Sequence, residues 1–201
     1  MQQYLKCFSN ISDAGATCSI EIFADIPIDS DPNKILNSQT GSPGHVFLQL
    51  KKSNATETVQ QNIGFYPSEG WKVTISNAPV DGKFVDNGSH EFNASLVMTI
   101  SPDQLQNAIN EIQYLARFIK YDIDEYNCTD FALDVFNKVR NEPLVIPLYD
   151  MPGGITAGGT RTPQGLYNQL QTMQRSNHPE ASNISLPGYK GWVGHSNGPC
   201  N

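Results

Sequence analysis

The chain has 201 residues and a formal net charge of −7, and only 16% of its residues are charged. This length can bury a full hydrophobic core, so one domain over residues 1–201 is expected. No basic patch and no bilayer-length apolar stretch is present, which argues against a nucleic-acid partner, an anionic membrane surface and a membrane span.

The first half of the chain has the alternating apolar pattern of β-strands. A strand over residues 19–28 places Ile20, Ile22 and Ala24 on one face. Strands over 45–51 and 58–66 flank a turn at 52–55 and should form an antiparallel hairpin. A short strand over 71–76 and a longer one over 91–100 are also expected. Residues 77–90 are predicted to be loop because Asn, Asp, Gly and Pro are frequent there.

The second half of the chain has helical signals. Ser101-Pro102-Asp103-Gln104 has the residues of a capping box, so a helix should run from there to about residue 120. Further helices are predicted from 128 to about 140 and from 162 to about 173, and residues 175–201 should form an irregular tail. Strands followed by helices predict an α+β fold in which an antiparallel sheet packs with helices.

A cysteine stands where the second of these helices should begin, in Tyr126-Asn127-Cys128-Thr129-Asp130-Phe131. A thiol there lies at the positive end of the helix dipole, near backbone N–H groups without partners. Such groups would stabilise a thiolate, the nucleophilic form. Cys128 is therefore predicted to be a nucleophile, although a buried structural cysteine is the commoner fate. The backbone N–H of Cys128 and the side chain of Asn127 are the candidate oxyanion donors.

A histidine opens the apolar strand Gly44-His45-Val46-Phe47-Leu48 and points to the opposite face from Val46. His45 is the candidate general base. With a turn near Asn54, His45 should lie opposite about Ile63, and the polar side chains of strand three should share its face. Asn62 is predicted to orient the imidazole, with Gln60 as the alternative.

The remaining cysteines and histidines give weaker signals. Cys7 and Cys18 flank a short loop and would form a disulfide in an exported protein, or all four cysteines, including Cys200, are free thiols. No Cys-x-x-Cys pair occurs, and His90, His178 and His195 lack metal-ligand spacing. No metal and no cofactor are therefore expected.

Four short pieces of the sequence carry a family resemblance: Gly44-His45-Val46-Phe47, Ile63-Gly64-Phe65-Tyr66-Pro67, Tyr126 to Ala132, and Pro152-Gly153-Gly154. With the histidine before the cysteine, the chain resembles the circularly permuted branch of the papain-like superfamily, which includes NlpC-type peptidoglycan amidohydrolases and lecithin retinol acyltransferase-like enzymes. It looks most like a group of uncharacterised exported proteins of Bacteroidetes-type bacteria. The resemblance covers residues 19–170 and implies a permuted papain-like core there. It also implies Cys128 as nucleophile, His45 as base and a polar third residue on strand three.

These observations predict a thiol hydrolase that cleaves an amide bond in a peptide or a peptidoglycan-like substrate. Acyl transfer is a variant, and the alternatives are a non-catalytic binding or adhesion module and a purely structural domain on the same scaffold. An exported location, in the periplasm, at the cell surface or in the medium, is expected from the abundance of Asn, Ser, Thr, Gln and Gly, although residues 1–6 lack a signal-peptide pattern. The oligomeric state is left open.

Overall fold

A computed structural model describes residues 5–69, 78–151 and 158–198. Three α-helices are present in these residues: α1 (Pro102–Phe118), α2 (Cys128–Asn137) and α3 (Pro163–Arg175). Two short 3-10 turns also occur, at Lys6–Asn10 and Ala181–Asn183. The strands are β1 (Thr17–Asp25), β2 (His45–Ser53), β3 (Thr58–Pro67), β4 (Val80–Asp86), β5 (Glu91–Phe92), β6 (Ala94–Ile100), β7 (Lys120–Tyr121), β8 (Ile184–Ser185) and β9 (Gly191–Trp192).

Seven of the strands form one antiparallel sheet, in the order β7-β4-β3-β2-β1-β6-β8, and β5 pairs with β9 separately. Helices α1, α2 and α3 all contribute buried residues to one large core, which also takes the apolar side chains of one sheet face. The fold is therefore α+β with an antiparallel sheet, as the sequence predicts. Within the described ranges, no helix combines the length and the apolar character that crossing a membrane requires.

The opposite sheet face, called here the outer face, has a small aromatic cluster. Phe23 and Phe47 stack with ring centroids 4.9 Å apart, and Val193 packs with them. Residues 194–197 then follow strand β3, where Gln60 and Asn197 exchange two backbone hydrogen bonds of 3.1 and 2.8 Å. The tail that was expected to be irregular thus supplies β8, β9 and a cover for part of the outer face.

The predicted hairpin of β2 and β3 is present, but its register differs from the expected one. The pairs run from Ser53 opposite Thr58 to Phe47 opposite Gly64, which places His45 level with Tyr66 rather than with Ile63. The turn covers residues 54–57, where Asn54 N donates to Glu57 O at 2.9 Å. When the centre of a turn lies further along the chain than expected, the residue opposite a given position of the first strand moves by twice that distance.

Strand β4 was missed, since residues 77–90 were predicted to be loop. Gly82, taken as a turn former, lies in β4 opposite Pro67. A methyl group at Gly82 would come 2.0 Å from the Phe65 ring, so glycine is needed there for close packing and not for a turn. The strand predicted over 71–76 lies outside the described residues.

The strand predicted over 91–100 is divided into β5 and β6 by Asn93. The side chain of Asn93 is buried and accepts a hydrogen bond from Ile26 N at 2.8 Å. It also donates to Asp29 Oδ1 and to the Tyr189 carbonyl, at 2.9 and 2.8 Å. Asn93 therefore ties three segments together, and the chain changes sheets at this residue.

The predicted helix starts are confirmed. Ser101 and Gln104 form the capping box of α1, and Thr162 caps α3 by accepting from Gly165 N at 3.0 Å. Helix α2 begins at Cys128 as expected but ends at Asn137, before the predicted Arg140. The Asn137 side chain bonds both the N–H and the carbonyl of Leu144, which stabilises the turn that follows.

Candidate active site

The start of α2 is fixed by a reciprocal cap. Asn127 Oδ1 accepts from Thr129 N at 2.8 Å, and Asp130 Oδ2 accepts from Asn127 N at 3.0 Å. Arg161 pairs with the other oxygen of Asp130 at 2.6 Å. Cys128 is therefore the first residue of a firmly anchored helix, as the sequence predicts.

The side chain of Asn127 does not serve as the predicted oxyanion donor. Its Nδ2 donates to Ile123 O, Thr160 Oγ1 and Arg161 O at 3.3, 2.9 and 3.0 Å. Since its Oδ1 caps the helix, both ends of this buried amide are already used. Asn127 joins α2 to the segment before α3.

The backbone N–H of Val46 and the hydroxyls of Thr129 and Tyr121 lie near the sulfur of Cys128 and act to lower its pKa. The Tyr121 hydroxyl also lies near the backbone N–H of Cys128. One phenol thus reaches both the sulfur and the N–H that was predicted to bind an oxyanion. Sequence reasoning did not select Tyr121, which lies in the two-residue strand β7.

The expected stabilisation of a thiolate is not present. Burial raises the pKa of Cys128, and the nearby carboxylate of Asp130 raises it further. The hydrogen bonds from Val46, Thr129 and Tyr121 lower the pKa but do not offset burial. Cys128 is therefore a neutral thiol at neutral pH in this structure, and only 4% of the residue is exposed.

The cavity beside the sulfur is narrow. Its volume is about 10 Å³, and its walls include Pro43, Tyr121, Met151 and Thr160. A space of this size holds at most about one water molecule. A peptide can reach Cys128 only if the surrounding segments move.

His45 lies on the outer face, where its ring stacks on Tyr66 with centroids 4.1 Å apart. The His90 ring stands edge-on to it at 5.6 Å. Burial, assisted by the charge of His90, lowers the pKa of His45 to about 3, and hydrogen bonding with Asn87 opposes this shift. His45 is therefore a neutral imidazole over the physiological pH range.

Cys128 and His45 approach the same part of the sheet from its two faces. The β2–β3 ladder ends at Phe47 opposite Gly64, and beyond it β3 pairs only with β4. We call the part of the sheet beyond the last β2–β3 pair, where His45 and Val46 face β3 without pairing with it, the strand gap. The Val46 N–H faces the sulfur there, and His45 Nε2 lies over Gly64, close enough that a methyl group at Gly64 would be 2.6 Å from it.

Asn62 and Gln60 share the outer face with His45, as predicted, but they do not lie beside it. Asn62 is opposite Gln49, four positions along β2 from His45, which corresponds to about 13 Å. Its side chain bonds Gln49 Nε2, Gly194 O and Ser196 Oγ. Gln60 lies further along and donates to His195 O at 3.1 Å. Both amides hold the C-terminal segment, so neither takes the predicted third place.

The amide that does face His45 belongs to Asn87, directly after β4. A methyl group at Gly64 would lie 2.0 Å from Asn87 Oδ1, on the same side as His45 Nε2. Asn87 is not among the predicted site residues, because the sequence around it has the composition of a loop. The available signal was the Asn87-Gly88 turn pair, which is typical of the end of a strand.

Of the cysteines in the described residues, Cys18 and Cys128 are free thiols and Cys7 is in a disulfide. The expected pairing of Cys7 with Cys18 is therefore wrong. Cys18 is buried, and desolvation raises its pKa as it does for Cys128.

The chain was compared with family models, with curated proteins and with solved structures, and none of them matches it.

Proposed function

We propose that the protein is a thiol hydrolase that cleaves an amide bond of a peptide or cell-wall peptide, with Cys128 as nucleophile and His45 as general base. The observation that carries the proposal is the strand gap, which is bordered by the sulfur and by the imidazole. A permuted papain-like core, with the histidine strand before the cysteine helix, is part of the same proposal.

The polar atoms at the strand gap support a functional role over a purely structural one. His45 Nε2 and Asn87 Oδ1 are buried, and neither has a hydrogen-bond partner of good geometry within the described residues. Leaving such atoms poorly satisfied costs about 1–3 kcal/mol each. A core built only for stability would contain apolar side chains here, whereas such costs are commonly retained at functional sites.

Before the reaction begins, the Cys128 thiol and the His45 imidazole are both uncharged. The Cys128 S–H bond breaks as the sulfur attacks the substrate carbonyl carbon, and the proton passes to the His45 imidazole. The C–N bond then breaks, the amine leaves with that proton, and an acyl-enzyme remains. Water next attacks the thioester, gives its proton through His45 to the sulfur, and releases the carboxylic acid.

The charge that develops on the carbonyl oxygen needs donors near the sulfur. The Cys128 N–H and the Tyr121 hydroxyl are the groups in place, since both lie beside the sulfur. A substrate oxygen placed between them would receive both donors. Tyr121 thus takes the role first given to the side chain of Asn127.

Acylation of the protein by a small activated ester tests the proposal, because such an ester needs a much smaller opening of the site than a peptide does. We expect mass spectrometry after brief exposure to p-nitrophenyl acetate to locate one acetyl group on Cys128. The acetyl group should be lost in Cys128→Ala and His45→Gln proteins. Cys18→Ala is the matched control, because Cys18 is also a buried free thiol. Acetylation of Cys18 at the same rate would refute the assignment.

A binding module on this scaffold is the second candidate, and the narrow cavity at Cys128 favours it. This alternative requires that the Cys128→Ala protein binds cell-wall peptides as tightly as the parent and that neither protein is acylated. An exported location is proposed with either function, since the disulfide at Cys7 is typical of oxidising compartments.

A further inference from the structure

A larger cavity lies beside the start of β2, and its walls differ from those of the narrow cavity at Cys128. Its volume is about 490 Å³. This is within the range of about 300–1,000 Å³ that small-molecule sites have. Gly44, which directly precedes His45, belongs to its walls, and so does Asp25, which is paired with His45 between β1 and β2. The cavity therefore adjoins the strand that carries the imidazole.

The walls of this cavity include three carboxylates, those of Asp25, Asp29 and Glu91. Asp25 Oδ2 lies 3.2 Å from His90 Nε2. Lys190 pairs with the other two carboxylates, and its Nζ is 3.5 Å from Asp29 Oδ2. Each carboxylate thus has a partner inside the protein, and its remaining lone pairs can accept hydrogen bonds from a ligand with several O–H or N–H groups. Further amide and hydroxyl groups complete the polar part of the lining: Ser30, Asn37, Thr40 and Ser42.

Two exposed aromatic rings stand next to these carboxylates. Tyr189 lines the cavity and is 60% exposed, and Trp192 is 63% exposed. The Lys190 ammonium lies over both rings, 5.5 and 5.3 Å from their centroids. Since this ammonium also pairs with Asp29 and Glu91, it holds the rings beside the polar walls. We call Tyr189, Lys190 and Trp192 the aromatic rim. Large rings left exposed together are typical of a binding surface.

The backbone of the aromatic rim is fixed. Asn93, which is buried, donates from Nδ2 to Tyr189 O at 2.8 Å and to Asp29 Oδ1 at 2.9 Å. Trp192 is paired with Glu91 in the two-stranded sheet of β5 and β9. The rings and the carboxylates are therefore attached to one rigid framework. A ligand that uses both loses little free energy to ordering of the protein.

An aromatic surface beside hydrogen-bonding walls matches the chemistry of a sugar. The C–H groups on one face of a pyranose ring carry a weak positive charge and pack on the electron-rich face of Tyr or Trp. The hydroxyl groups at the edge of the same ring can donate to carboxylates. We propose that this cavity and the aromatic rim bind a saccharide.

The binding of a saccharide does not depend on the chemistry at Cys128. Its use as a substrate subsite rests on the proposed hydrolase function. In that case the substrate is a peptide attached to a glycan, because Gly44 and Asp25 place the sugar next to His45.

NMR titration of the intact 15N-labelled protein tests the proposal with two trisaccharides. These are cellotriose, a glucose trimer, and tri-N-acetylchitotriose, which has the same linkage and an acetamido group on each ring. We expect saturable shifts of the Trp192 indole N–H, assigned by its loss in Trp192→Ala protein, and of the amides of Asp25 and Gly44. Binding of the acetylated trimer alone identifies amino sugars as the ligand, and binding of cellotriose identifies the hydroxyl groups as sufficient. No saturable shift with either trimer would overturn the proposal.

Two variants test the aromatic rim. Tyr189→Ala and Trp192→Ala should each raise the Kd of the trisaccharide by about tenfold, because one stacked ring is lost. Tyr114→Ala is the matched control, since Tyr114 is 59% exposed on α1, and it should leave the Kd unchanged. Urea unfolding midpoints that stay close to that of the parent show that the exposed rings act in binding and not in folding. An unchanged Kd in both rim variants would refute the role of the rings.

The diamine cadaverine distinguishes a saccharide site from a cation site. Saturable binding of cadaverine, with binding of neither trimer, would overturn the proposal, because the carboxylates alone would then define the ligand. The hydrolase test is separate, since acetylation of Cys128 by p-nitrophenyl acetate does not involve this cavity. Saccharide binding without acetylation of Cys128 would contradict the proposed hydrolase alone, and acetylation without saccharide binding would contradict the saccharide site alone.

Discussion

The backbone N–H of Val46 faces the sulfur of Cys128, so the residue directly after His45 is the one that approaches the thiol. The β2–β3 ladder ends at Phe47 opposite Gly64, so Val46 is paired with Ala24 of β1 but with no residue of β3. The first residue of helix α2 therefore lies near the beginning of strand β2, where the β2–β3 ladder ends. On the outer face, the His45 imidazole lies over Gly64, the last residue of β3 that pairs with β2.

The Tyr121→Phe substitution should make Cys128 less acidic. The lost hydroxyl lowers the pKa of Cys128 less than Val46 and Thr129 do, so the pKa should rise by up to about one pH unit. The pH at which iodoacetamide labels Cys128 at half its maximal rate should rise by that amount. Tyr114→Phe is the control, because Tyr114 is exposed on α1. A midpoint that stays fixed in Tyr121→Phe protein would show that the phenol does not act on the sulfur.

Gly64→Ala should disturb the strand gap directly. The added methyl group would lie 2.0 Å from Asn87 Oδ1 and 2.6 Å from His45 Nε2, so at least one of these side chains must move. Overpacking of this kind costs about 1–3 kcal/mol of unfolding free energy, measurable by urea denaturation, and acylation of Cys128 should be lost with it. The matched substitution is Gly188→Ala, where no atom lies within 4 Å of the new methyl group. Similar stability losses in both proteins would contradict the close packing at Gly64.

Acid should destabilise the protein through His45. Its pKa is lowered from 6.5 to about 3 in the folded state, so between these values the unfolded chain binds a proton that the folded chain does not. The contribution of neutral His45 to the unfolding free energy is therefore complete above pH 6.5, and it falls by about 1.4 kcal/mol per pH unit between this value and pH 3. Burial raises the pKa of Glu21, Asp25 and Asp130, which acts in the opposite direction.

The His45→Gln protein separates these contributions. Its unfolding free energy should decrease less than that of the parent as pH is lowered from 6.5 toward 3, and the difference between the two proteins reports His45 alone. Parallel curves for the two proteins over this range would mean that His45 is protonated in the folded state.

The difference between the predicted and the observed site has a physical origin. Local signals suffice for Cys128 and His45, because a helix cap and the first residue of a strand are set by neighbouring residues. The third residue depends on the register of β2 with β3 and on the path after β4, which are set by tertiary packing. Gly82 is an example. In the sequence it resembles a turn glycine, whereas in the structure it lies in β4 against the Phe65 ring, which leaves no room for a side chain.

Free-thiol titration tests the cysteine assignments. With denaturant and no reductant, Cys18 and Cys128 should be labelled and Cys7 should not, whereas Cys7 should also be labelled after reduction. The Cys7→Ser substitution should add one thiol to the unreduced count and lower stability by about 2–5 kcal/mol. Four thiols without reductant would contradict the disulfide at Cys7.

Asn127→Ala should destabilise the protein more than Ser101→Ala, although both remove a helix cap. Ser101 is exposed and its loss should cost about 1 kcal/mol. Asn127 is buried, and its Nδ2 also bonds Thr160 Oγ1 and Arg161 O, so the substitution removes these bonds together with the cap and should cost about 2–4 kcal/mol. Urea unfolding of the two variants gives the comparison. Equal losses would mean that Asn127 only caps α2 and does not join this helix to the segment before α3.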